Sequence, residues 1–122
     1  MSYFSEDIKR SLALVELLCL AGAADSEFDA EERAIVRAQL AVLLGPLADD
    51  VAGHLKTFQV RGASLEAVLT RMQPSRDADR RAVMLAVREV LRADGAVSEI
   101  ETTFLTRVGQ LLRFPPERID GF

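Results

Sequence analysis

Gly22 to Val36 reads "GAADSEFDAEERAIV", five carboxylates within eight residues between two apolar runs. The left flank, "LALVELLCLAGAA", has apolar residues on nearly every side of a helical wheel. The right flank, "AIVRAQLAVLL", repeats them at three- and four-residue steps. Two helical periods joined by a polar turn predict a helix–turn–helix unit, not a hairpin. The left helix is wide enough in its apolar set (Ile8, Leu12, Val15, Cys19 and Leu20 among others) to be a central, well-buried one.

The same design returns downstream in "LRADGAVSEIETTFL", Leu91 to Leu105. Superposing the two turns pairs Asp25 with Asp94, Ser26 with Gly95, Phe28 with Val97, Asp29 with Ser98 and Glu32 with Glu101. Two copies are too few for a solenoid and suit a bundle with pseudo-two-fold symmetry.

The rest of the chain agrees with an all-α bundle of about seven helices. Helices are expected over about Phe4–Ala24, Ala30–Leu44, Pro46–Phe58, Leu65–Met72, Arg76–Ala93 and Ser98–Arg113, with a last turn at "PPERI". Gly45-Pro46 marks a stop and restart, Ser64 a cap, and Gly53 sits inside the third helix at some cost. No segment alternates as a strand does. At 122 residues the chain is the size of one domain, 1–122, with no linker or low-complexity segment.

A net charge of −4 argues against nucleic acid. The excess of acid lies wholly in the first half: ten acidic and six basic residues through Arg61, nine of each after it. Cys19, the single cysteine, leaves no intrachain disulfide and reads as a buried small hydrophobe. No apolar run is long enough to span a membrane, and the start lacks the order of a signal peptide. A cytoplasmic location is the expectation.

Folding alone explains part of the acidic pattern. Asp29-x-x-Glu32 and Ser98-x-x-Glu101 both read as capping boxes, and Glu31, Glu32 and Glu101 sit in first turns, where the helix dipole favours negative charge. Asp25 and Asp94 fit that account less well, since each follows the C-terminal end of a helix, the wrong pole for a carboxylate. An Asx-turn is one remedy; a bound cation is the other. Oxygen ligands alone favour Mg²⁺, Ca²⁺ or Mn²⁺ over Zn²⁺. The first turn is not an EF-hand loop, because Ala30 and Val36 stand where Gly and Glu are required.

A helix ending in "AADSEFDAEE" and another ending in "RADGAVSEIE" resemble the tellurite-resistance TerB family, related to the N-terminal domain of DjlA-type co-chaperones. The likeness runs from about Leu12 to Ile119. It implies an all-helical, non-enzymatic domain with a stress-response or interaction role. It also implies a divalent-metal site (Ca²⁺, Mg²⁺ or Mn²⁺) at Asp25 and Glu32 in the first turn and Asp94 and Glu101 in the second, with Asp29 in addition. The pattern departs from the family at Ser26, where Gly is usual, and at Ala96 and Ser98, which leave the second turn poorer in carboxylates. The competing reading is a metal-free interaction bundle whose acidic turns are caps.

Nothing else in the chain carries catalytic chemistry. His54 stands alone, so no zinc site or Ser-His-Asp set can be assembled around it; the expectation is a structural or exposed histidine. Arg81, Arg88 and Arg92 share one face of the fifth helix and suit an acidic partner or anionic lipid heads. Asp77, four residues before Arg81, favours instead a solvated face with a helix ion pair. A protein partner, peripheral membrane association and a homodimer are all open at this point.

Overall fold

A computed structural model of the chain describes residues 3–24, 28–93, 95 and 97–122. Among these residues there are seven helices and no strand: α1 (Ile8–Gly22), α2 (Ala30–Leu44), α3 (Asp49–Thr57), α4 (Leu65–Met72), α5 (Asp77–Arg92), α6 (Glu99–Leu111) and α7 (Pro116–Ile119). The all-α expectation holds.

α1 is the axis of the bundle. Residues 13–19 are buried without a break, because α2, α3, α4 and α5 all pack on this one helix. Of the side chains expected in the core, Val15 and Cys19 are fully buried and Ile8 is not. Ile8 is 46% exposed, while Leu14, Leu17 and Leu18 are fully buried. α1 also begins later than Phe4. Asp7 caps it by accepting from the Lys9 N–H at 2.8 Å. The preceding Phe4 is tucked into the core, and its carbonyl accepts from the Ser11 hydroxyl at 2.6 Å. The Tyr3 hydroxyl donates to the Met72 carbonyl and ties this entry turn to the end of α4.

α2 and α6 are peripheral: each follows its acidic turn and packs back on the helix before it, α2 on α1 and α6 on α5. Helix ends fall where local chemistry put them. Gly45 closes α2 at φ +75°, a backbone state that only glycine adopts without strain, and its N–H bonds the Ala41 carbonyl. Ser64 caps α4 through the Ala67 N–H. Two arginines cap helices other than their own. Arg33 of α2 donates to the Leu55 and Phe58 carbonyls at the end of α3, and Arg80 of α5 donates to the Leu112 carbonyl at the end of α6. Each of these three bonds joins residues more than twenty positions apart, beyond the reach of any local pattern.

Candidate functional site

Asp29 leads into α2 with extended backbone, and its Oδ1 accepts from the Glu32 N–H at 2.9 Å. That is the Asp29 half of the expected capping box. The Glu32 carboxylate lies toward the end of α1: a Cβ built on Gly22 would sit 3.6 Å from Oε2. In the second turn both halves of the box are present. Ser98 Oγ accepts from the Glu101 N–H at 3.2 Å, and Glu101 Oε1 accepts from the Ser98 N–H at 2.9 Å. Gly95 completes the turn at φ +116°, with its N–H on the Arg92 carbonyl.

Asp25 and Asp94, the two aspartates that folding explains least, lie outside the described residues. So of the five expected metal-site residues, three are described: Asp29, Glu32 and Glu101. Their donors are all oxygen, which suits a hard divalent cation. Each cap bond engages one oxygen of Asp29 or Glu101 and leaves the second outside it. Among the described residues, however, no three His, Cys, Asp or Glu side chains come together as a metal-holding group. The capping role of Asp29, Ser98 and Glu101 is therefore visible directly.

The best-developed polar cluster lies elsewhere. Glu16, on the buried run of α1, is 8% exposed. Arg71 of α4 grips it with both terminal nitrogens, one bond to each carboxylate oxygen. His54 Nε2 of α3 lies 2.9 Å from Oε2. One carboxylate thus joins three helices. Burial pushes the Glu16 carboxyl up, but the Arg71 and His54 hydrogen bonds and charges outweigh it and hold the group below the usual carboxylate range. A buried charge persists only when it is paired in this way. The expectation of a structural His54 is met. The signal for its partner was present in "LALVELLCLAG": a lone glutamate inside a buried apolar run must find a cation. Nothing in the sequence said that the cation would be Arg71.

Cys19, three residues along the same helix, is buried, and burial pushes its thiol up to about 12. It is a core residue and not a nucleophile.

α5 carries Arg81, Arg88 and Arg92. The helix ion pair expected between Asp77 and Arg81 is not made. Asp77 instead accepts from Arg118 of α7 at 2.9 Å and from Arg80 at 3.3 Å. The reason is rotational: Arg80, one residue earlier, points toward the α6–α7 corner, where Arg118 also arrives.

No helix among the described residues is long and apolar enough to cross a membrane. Compared with protein families, the chain matches the model of tellurite resistance protein TerB over residues 11–121. Comparison with curated proteins and with solved structures gave no significant match.

Proposed function

The chain belongs to the TerB family, and from that premise we propose that it is a non-enzymatic interaction domain whose two acidic turns bind a divalent cation. In this reading residues 1–122 form one domain, and α1–turn–α2 and α5–turn–α6 are two copies of one unit. The observation that carries it is the matched placement of the caps. Asp29 and Ser98 each open a helix through the N–H three residues on, four residues after Asp25 and Asp94. The caps account for Asp29, Ser98 and Glu101; in sequence, Asp25 and Asp94 follow the C-terminal ends of α1 and α5, where a cation would offset their charge. Asp25, Asp29 and Glu32 from one turn and Asp94 and Glu101 from the other would supply the oxygens for Ca²⁺, Mg²⁺ or Mn²⁺. The cation's contribution is charge neutralisation and cross-linking of two turns, not catalysis. A stress-response role and a cytoplasmic location belong to the same reading.

Calorimetric titration of chelated protein with each of the three cations tests it. Saturating metal, at a hundred times the dissociation constant, adds about 2.7 kcal/mol of stability, and Asp25→Asn removes that gain without weakening the apo fold. A metal-independent melting curve would leave the acidic turns as caps. The chain would then be a metal-free interaction bundle.

A further inference from the structure

The outer stripe of α5 is the surface whose chemistry remains unused. Arg81, Leu85, Arg88 and Arg92 fall at i, i+4, i+7 and i+11, one line along the helix. The inward faces of α5 carry Val83, Met84, Val87, Val90 and Leu91, all buried. The outer stripe borders a groove in two parts. One part, about 350 Å³, lies between Arg88 and Arg92 on one wall and Leu105 of α6 on the other, with Val97 and Phe122 also lining it. The other, about 200 Å³, lies beside Arg81, Leu85 and Arg118. Arg88 and Phe122 line both, so the two parts meet around them.

The charges along this groove are only partly matched. Arg118 is held by Asp77, and Arg88 reaches Glu89 through one terminal nitrogen at 3.1 Å. Arg88 Nε is buried and makes no hydrogen bond. Arg81 and Arg92 make no ion pair among the described residues. Asp77, the carboxylate placed to neutralise this face through a helix ion pair, is committed to Arg118 and Arg80. Against this stands, among the described residues, one further carboxylate on the groove, Asp120. A surplus of guanidinium beside half-buried Leu85, Leu105 and Phe122 asks for a ligand that is both anionic and apolar.

Size and overall charge narrow the class. The whole chain carries −4, which repels an extended polyanion or a charged membrane surface at long range. A short segment with a few carboxylates feels mainly the local arginines, within one Debye length of about 8 Å. We propose that this groove binds an acidic, apolar-anchored segment of a partner protein. Its carboxylates bind Arg81 and Arg92, and its aliphatic or aromatic side chain packs beside Leu105 and Phe122. Eleven residues of α5 span about 16 Å, so an extended segment places its outer carboxylates about five residues apart. The proposal rests on the interaction part of the reading above and supplies its surface, but not on the metal.

Selection of a displayed random dodecapeptide library on the full chain tests it, with counter-selection on the Arg81→Glu, Arg92→Glu double variant. Both positions are exposed, and circular dichroism checks that the variant is folded. Enriched peptides should carry acidic residues about five apart around an apolar one. Synthetic copies should bind the variant at least about tenfold more weakly and lose affinity between ~50 and ~300 mM salt. Binding should persist in both EDTA and Ca²⁺; a failed metal titration then leaves this result standing, and the reverse. No enrichment, a consensus without acid, or equal affinity for the variant overturns the proposal. So does retention of phosphatidylserine vesicles or a single-stranded oligonucleotide, abolished in the variant, in place of peptide.

Discussion

Glu16 brings α1, α3 and α4 to one point, and its energetics follow from how unequally its partners are exposed. The Glu16 side chain is 11% exposed, His54 29% and Arg71 47%. Water therefore screens the arginine far more than the carboxylate, and the pair contributes less than a fully buried one would. Glu16→Gln keeps the shape and an acceptor but removes the charge, so it should cost about 1–2 kcal/mol in denaturant unfolding at neutral pH. The pH dependence has a definite sign. A carboxyl held below its ordinary 4.5 in the fold adds stability that is fully present above that value. It is lost as pH falls through the lower folded value. Wild type should therefore lose stability more steeply than Glu16→Gln below about pH 4.5; parallel curves would show that Glu16 has no special link to the fold.

Among the elements, the caps and two glycines of opposite meaning give the sharpest expectations. Ser98→Ala removes the oxygen that accepts the Glu101 N–H and should destabilise by about 1 kcal/mol. No change within error would mean that the bond does not cap α6 in solution. Gly53 lies inside α3, exposed, and a Cβ there would meet nothing within 4 Å. Gly53→Ala should raise stability by about 0.5–1 kcal/mol, the helix-propensity difference. Gly109 also lies inside a helix, α6, but a Cβ there would come within 2.7 Å of Ile119 Cγ1 and 3.2 Å of Met84. It is the slot into which α7 seats. Gly109→Ala should therefore destabilise by about 1–3 kcal/mol despite its better propensity. Thermal melts of the two alanine variants shifting in opposite directions would confirm the distinction; a shift of both upward would mean that α7 yields.

At the scale of the whole molecule, one helix carries the core. Because α1 is packed by α2, α3, α4 and α5, a void in it weakens several contacts at once. Leu17 is fully buried, so shortening it leaves a void. Leu17→Ala should cost about 2–5 kcal/mol, with far-ultraviolet circular dichroism and tyrosine fluorescence still falling together as one transition. Divergent transitions would show that the bundle does not melt as one unit. The ends of the bundle are joined by lighter means: Asp77 to Arg118 and the Tyr3 hydroxyl to the end of α4.

The all-α class, the helix order and most helix ends were legible in the sequence because they depend on local physics. A 3.6-residue apolar period, a Ser or Asp three residues before an N–H, and a glycine at positive φ act within one or two turns of chain. Thus α2 runs from Ala30 to Leu44 and α4 ends at Met72, as the pattern required. The start of α1 at Ile8 was missed because Phe4 and Ser11 are settled by packing. The likeness to TerB was legible from two short motifs, and the family match bears it out. Of the acidic turns, the sequence determined the caps, which are local bonds. Tertiary structure alone decided that Glu16 meets Arg71 and His54, that Asp77 bonds Arg118 and not Arg81, and that Arg88 and Arg92 line a groove with Leu105 and Phe122. Each of these joins residues distant along the chain, and which distant charge a side chain meets depends on how helices cross and rotate against one another, which no local periodicity encodes.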